Sequence, residues 1–187
     1  IGTDKCHCLK KAIVDLLYMQ SNLQEILKQE NFSTFCTNYY SSNYIDPLTG
    51  RSSQESMQTA LRVCRQFTDS FSEEFCNILL YGDTGVGKTF LTHCIAKELM
   101  DKSYSVIYFS AVQLFDYFAK STFGKKGEAD TDVFYHVYDC DLLIIDDLGT
   151  ELSNSFTVSQ LFVCLNERIL RRKPTVISTN LTLDDIN

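Results

Sequence analysis

The chain has 187 residues, 44% of them apolar, with 17 Lys and Arg against 24 Asp and Glu for a formal net charge of −7. That length accommodates one ordinary domain plus a modest extension, enough to bury roughly 70% of the chain's surface, and the apolar share excludes a disordered chain. The acidic balance excludes broad, non-specific coating of nucleic acid, which needs clustered cations, and leaves room for a narrow, local contact.

Residues 1–30 read as a helical N-terminal extension. They open with Cys6-His7-Cys8. Ile13, Leu16 and Leu17, then Leu23, Ile26 and Leu27, recur at helical spacing, with Ser21 placed as a cap between two short helices. Residues 31–52 are aromatic and polar and end in the turn sequence Asp46-Pro47-Leu48-Thr49-Gly50. Ser52 and Glu55 then form a capping-box pattern, and Met57, Leu61, Cys64, Phe67 and Phe71 mark the inner face of the helix that follows.

From about Phe75 the pattern alternates. Strands are expected at 77–81, 105–109, 142–146 and 175–179, each short, apolar and uncharged until its end, as in strands covered on both faces. Helices are expected at 87–102, 110–121, 131–139 and 155–171, the last closed by Arg168, Arg171, Arg172 and Lys173, where cations complement the carbonyl end of the helix dipole. This alternation predicts an α/β fold of three layers, a parallel sheet flanked by helices. Of the eight cysteines, Cys36, Cys64, Cys76, Cys94, Cys140 and Cys164 lie singly and read as small buried thiols. That implies a reducing, cytoplasmic setting. No apolar run nears the roughly 20 residues of a membrane span, and no stretch resembles a signal peptide.

Gly82-Asp83-Thr84-Gly85-Val86-Gly87-Lys88-Thr89 fits the phosphate-loop pattern G-x-x-x-x-G-K-[ST], with an apolar strand before it and a helix starting at Phe90 after it. Phosphate oxygens need donors at close range. Gly82, Gly85 and Gly87 let the backbone curl so that its amides point inward, and the helix N-terminus adds roughly half a positive charge. The expected nucleotide-binding set is therefore Gly82, Asp83, Thr84, Gly85, Val86, Gly87, Lys88, Thr89 and Phe90. Lys88 reaches the β- and γ-phosphates, and Thr89 offers a hydroxyl to Mg²⁺.

Leu142-Leu143-Ile144-Ile145-Asp146-Asp147 has the form of a Walker B strand, four apolar residues and then acid at the carboxyl end. Parallel sheets gather ligands at that edge, so Asp146 is expected to hold Mg²⁺ with Thr89 and Asp147 to polarise the attacking water. Asn180 ends the last strand, where it either orients that water and senses the γ-phosphate or serves as a turn residue.

The stretches YGDTGVGKTFL, LLIIDDLGTE and KPTVISTNL together resemble the DnaC/DnaI-type replicative helicase loaders, an AAA+ clade that also contains transposase-helper ATPases of the IstB kind. The resemblance runs from about residue 30 to 187, through Asn31-Phe32-Ser33-Thr34-Phe35 and Tyr39-Tyr40-Ser41. It implies an AAA+ ATPase core using ATP and Mg²⁺, Asn180 as its sensor-1 residue, and ATP-controlled delivery of a replicative helicase to single-stranded DNA, with self-association through the ATPase domain. Two alternatives stay open: a transposase-helper ATPase, and a nucleotide-sensing adaptor without useful turnover. The family more often carries Glu where Asp147 stands.

The resemblance also places an arginine finger, worth about 10³ to 10⁵ in rate, and a lid with sensor 2 beyond Asn187. The expected core is truncated after the sensor-1 strand, without its lid, and hydrolyses ATP poorly alone. Cys6-His7-Cys8-Leu9 resembles the tail of an N-terminal zinc site, and a Cys pair is at most half of a four-ligand set, so zinc is expected only in a longer protein. In this clade a helical element facing single-stranded DNA corresponds to about 110–139. Phe115, Tyr117, Phe118, Lys120, Phe123, Lys125 and Lys126 alternate aromatics with cations there, as base stacking needs, while Phe115 and Phe118 are equally well spaced for burial.

Overall fold

The computed structural model describes residues 23–47, 49–123, 136–149 and 155–182. Cys6-His7-Cys8, the helix expected around Ile13, the Ser21 cap, Lys125 and Lys126 lie outside them. The elements in order are α1 (Leu23–Gln29), a 3₁₀ turn (Thr37–Tyr39), α2 (Ser53–Asp69), β1 (Ile78–Tyr81), α3 (Lys88–Asp101), β2 (Val106–Ser110), α4 (Ala111–Phe123), β3 (Leu142–Leu148), α5 (Ser155–Leu170) and β4 (Thr175–Thr179). A helical turn at 136–139 is the described end of the helix expected over 131–139.

The capping box forms as its sequence requires. Ser52 Oγ accepts the Glu55 amide at 3.1 Å, and the Glu55 carboxylate accepts the Ser52 amide at 2.8 Å. The Ser52 amide first, and then the Ser52 hydroxyl donating to the same carboxylate at 3.0 Å, hold the Glu55 carboxyl below its ordinary range. From there α2 turns Met57, Cys64 and Phe67 inward, with Leu61 and Phe71 packed at the margin.

The sheet runs β1-β4-β3-β2 with every neighbouring pair parallel. Alternation along β3 divides its apolar residues between two cores. Leu142 and Ile144 join Ile78, Val106 and Val176 against α1, α2 and α3, while Leu143 and Ile145 join Ile107 against α4 and α5. Helix therefore covers both faces, the three-layer arrangement the alternation predicts. Leu23 and Leu27 of α1 sit in the first core, and the Glu30 carboxylate meets His93 Nδ1 on α3 at 2.5 Å. Parallel strands place all their carboxyl ends on one edge, beside the N-terminus of α3.

The ladder between β3 and β4 breaks once. Ile145 faces Ile177 and Leu148 faces Thr179, so two residues on β3 oppose one on β4. That is a bulge.

Arg168 departs from the expectation for the end of α5. It is fully buried, donating to Pro174 O at 2.5 Å, Val137 O at 2.6 Å, Thr175 Oγ1 at 3.0 Å and Cys140 O at 3.2 Å. The reason is geometric: α5 ends where the chain must turn into β4, and a planar guanidinium satisfies several carbonyls at once. Arg172, at φ 53, takes the left-handed conformation that stops the helix. Cys64, Cys94 and Cys164 are buried as expected, and burial pushes their thiols up to about 12. Cys76 is exposed and Cys36 half-buried, because both lie in connecting segments rather than on an inner face.

Candidate nucleotide site

The loop from Gly82 to Gly87 joins β1 to α3, whose first residue is Lys88. Gly85 and Gly87 hold φ of +81 and +95, the left-handed region that favours glycine. A Cβ on Gly85 would project into open space, whereas one on Gly87 would lie 2.5 Å from the Tyr40 hydroxyl. That hydroxyl donates to Val86 O at 3.0 Å, and burial raises its pKa. Tyr40 stacks on Phe35 with ring centroids 6.3 Å apart, and Phe35 meets Phe90 edge-on at 5.2 Å. An aromatic group from the segment preceding α2 thus braces the loop from outside.

Lys88 is 7% exposed, and its ammonium donates to Gly82 O at 2.8 Å, Asp83 O at 2.8 Å and Asn180 Oδ1 at 2.7 Å. All three partners are neutral oxygens. A buried cation so held can still receive an anion.

Thr89 Oγ1 donates to Asp146 Oδ1 at 3.3 Å, so the helix start and the tip of β3 meet. Ser178 Oγ donates to the same oxygen at 2.5 Å and accepts the Asp147 amide at 2.9 Å. Asp147 occupies the bulge with φ 57. Beside Asp146 lies the Tyr108 hydroxyl, bonded to Thr92 Oγ1 at 3.0 Å and raised in pKa first by burial and then by the negative charge of Asp146.

The structure therefore gathers Gly82 to Thr89, Asp146, Asp147 and Asn180 at one edge of the sheet, while the Phe90 ring turns inward against Phe35. A hydroxyl beside a carboxylate is a hard-oxygen pair that suits Mg²⁺. The open space over Gly85 and the start of α3 suit phosphate oxygens. These residues fit a magnesium–nucleotide.

Sequence reading missed Tyr40, Tyr108 and Ser178. Ser178 carried one signal, a hydroxyl between apolar strand residues and the Asn180 tip. Tyr108 carried none, since an aromatic among apolar strand residues reads as core, and Tyr40 stood only within the Tyr39-Tyr40-Ser41 resemblance, with no role attached to it. Phe115 and Phe118 on α4 take the burial alternative, and Tyr117 stacks on Phe109 with centroids 5.9 Å apart. The side chains of Lys120 and Phe123 lie outside the described part. Among the described residues no group of three or more His, Cys, Asp or Glu stands ready for a metal, and no helix is long and apolar enough to cross a membrane.

The family model for the IstB-like ATP binding protein matches residues 53–187. The replicative helicase loader DnaC of Escherichia coli K12 is 24% identical over 132 residues, which span 71% of this chain and 54% of that protein. The chain thus spans about half the length of that relative. A crystal structure of the DnaC helicase loader superposes with a TM-score of 0.63 at 26% identity, covering 84% of this chain and 80% of that one. AMPPCP-bound DnaA from Aquifex aeolicus gives a TM-score of 0.63 at 19% identity over 82% of this chain and 42% of that one, a likeness of fold. With the glycine loop, its buried lysine and the acidic strand tip on one edge of a parallel sheet, this chain belongs to the IstB-like ATP-binding family, built on the AAA+ P-loop fold of the DnaC-type loaders.

Proposed function

We propose that this chain is the ATP-hydrolysing core of a helicase loader, with residues 31–187 as the ATPase unit and residues 1–30 as an N-terminal extension. The observation that carries the reading is the convergence of three segments: Lys88 on Asn180 at 2.7 Å and Thr89 on Asp146 at 3.3 Å.

In this reading the amides of residues 82–89 and the N-terminus of α3 bind the phosphates, and Lys88 turns its ammonium toward the β- and γ-oxygens. Bound by Thr89 and Asp146, Mg²⁺ supplies charge neutralisation at the phosphate oxygens. Asp147 accepts hydrogen bonds from the attacking water, and Asn180 fixes the water or the γ-phosphate in line with it. Asp147 has a shorter arm than the Glu common in related ATPases. Turnover by the isolated chain is therefore slow, and it speeds up when a neighbouring subunit supplies a cation.

ATP binding by this core biases assembly with a replicative helicase and single-stranded DNA, and hydrolysis releases it. The E. coli DnaC relative supports that client. The family match to IstB-like proteins favours a second reading, in which the same core serves a transposase.

A pull-down of the full-length protein against the replicative helicase and a transposase, with and without ATP, separates the two. Helicase capture that depends on ATP and is lost in Asp146→Asn supports the loader. Transposase capture alone overturns it.

A further inference from the structure

Asp146 and Asp147 stand where β3 and β4 lose their one-to-one register, and on the β4 side both oppose Ser178. A bulge leaves one amide without a ladder partner. At this bulge the Asp147 amide turns to the Ser178 hydroxyl, and its φ of 57 is unusual for a residue with a side chain. Ser178 is fully buried, so no solvent can substitute for what its hydroxyl does.

A serine hydroxyl has one proton to give and lone pairs to accept with. The Asp147 amide donates to Ser178 Oγ at 2.9 Å, and Ser178 Oγ donates to Asp146 Oδ1 at 2.5 Å. The direction of the chain is therefore fixed, from amide to hydroxyl to carboxylate. Thr89 Oγ1 donates to the same oxygen at 3.3 Å, so two hydroxyls converge on it. The other β4 hydroxyls have separate partners: Thr179 Oγ1 donates to Leu148 O at 2.6 Å, and Thr175 Oγ1 accepts from Arg168 at 3.0 Å.

Resting on the reading of this edge as a magnesium–ATP site, we propose that Ser178 is a positioning residue that sets both acids with one hydroxyl. It turns the Asp146 carboxylate to share Thr89, and it holds the Asp147 backbone in its left-handed turn. Removing the hydroxyl takes away the partner that the Asp147 amide and the Asp146 carboxylate share and leaves Asp146 to Thr89 and the neighbouring Tyr108 hydroxyl, while the glycine loop and Lys88 keep their own partners. Groups that orient a metal's ligands in this way are worth about 10- to 100-fold in metal affinity.

The test uses the full chain and two readouts besides turnover: hydrogen exchange of the Asp147 amide without nucleotide, and the Mg²⁺ concentration that half-saturates ATP binding. Ser178→Ala is expected to speed Asp147 exchange about tenfold or more and to raise the Mg²⁺ requirement about tenfold or more. ATP binding without Mg²⁺ should stay unchanged. Ser178→Thr, which restores a hydroxyl, should return both readouts toward wild type. If Ser178→Ala does not fold, Ser178→Cys, with its weak donor, must show the same two changes in smaller measure. Thr175→Val, at the far end of the same strand, should lower the melting temperature and move neither readout. Wild-type exchange and Mg²⁺ dependence in Ser178→Ala, or equal changes in Thr175→Val, overturn the proposal. Wild-type ATP binding in Lys88→Ala overturns the nucleotide reading instead, and Asp147 exchange still decides whether Ser178 holds the bulge.

Discussion

Lys88 and Asn180 lie 92 positions apart in the chain, yet the ammonium donates to the amide oxygen at 2.7 Å. This bond joins the start of α3 to the tip of β4. In the proposed mechanism an arriving γ-phosphate would compete with Asn180 for the lysine and free the Asn180 amide to turn toward phosphate or water. Asn180→Ala should therefore lower turnover about 100-fold, the scale of removing one preorganised polar group from a reacting site, while ATP affinity changes less than about threefold. Steady-state turnover beside equilibrium ATP binding checks this. A loss of affinity as large as the loss of rate would make Asn180 a binding residue only.

Tyr40 supports the loop through one hydrogen bond and one close approach, to Val86 O at 3.0 Å and to the space a Gly87 Cβ would need. Tyr40→Phe removes the bond and keeps the ring. It should weaken ATP binding about threefold to tenfold, the net worth of one hydrogen bond. Gly87→Ala meets both the +95 φ and the tyrosine, so binding should fall below detection. Calorimetric titration with ATP distinguishes the two magnitudes.

Asp141 ties the amino ends of three strands, accepting from the Ser105 amide at 2.9 Å, the Ser105 hydroxyl at 2.7 Å and Lys173 at 2.9 Å. Burial pushes its pKa up, but the Ser105 and Lys173 bonds outweigh burial and hold it below its ordinary value. A carboxyl whose folded pKa is depressed stabilises the fold fully above its unfolded pKa of about 4, and that contribution is lost as pH falls through the folded value. Asp141→Asn should cost about 1–3 kcal/mol at pH 7, with the gap to wild type closing below about pH 4. Urea midpoints across that range give the answer.

Arg168 should matter for folding and not for nucleotide. Arg168→Met keeps the apolar stem but orphans the carbonyls of Val137, Cys140 and Pro174. A cost of about 3 kcal/mol or more is expected, the scale of several buried acceptors left unmade. These contacts lie at the opposite end of β3 and β4 from Asp146 and Asn180. ATP affinity measured well below the melting temperature should therefore match wild type.

How far the sequence revealed this architecture depended on whether each signal was local. The capping box at Ser52, the apolar runs of β1 to β4 and the glycine loop are patterns within a few residues, and each forms close to where its spacing puts it. Asp146 and Lys88 could be brought together because a parallel sheet puts all strand ends on one edge. The bulge at Asp146 and Asp147 depends on pairing register between strands, which neither strand states alone, so Ser178 looked like part of an apolar run. Arg168 shows the same limit from another side: a cation in the last turn of a helix reads as dipole compensation, and only the turn into β4 buries it. Tyr40 reaches the loop from 46 positions away.

The central claim is that Lys88 and the loop around it hold the phosphates of a nucleotide. The most direct measurement is equilibrium binding of ATP, with Mg²⁺ present, to the wild-type chain and to Lys88→Ala, each first shown to be folded by circular dichroism. Saturable binding by wild type, weakened at least about 100-fold in Lys88→Ala as expected for a lost buried charge-assisted contact, is the predicted result. Equal affinity in the two proteins would contradict it.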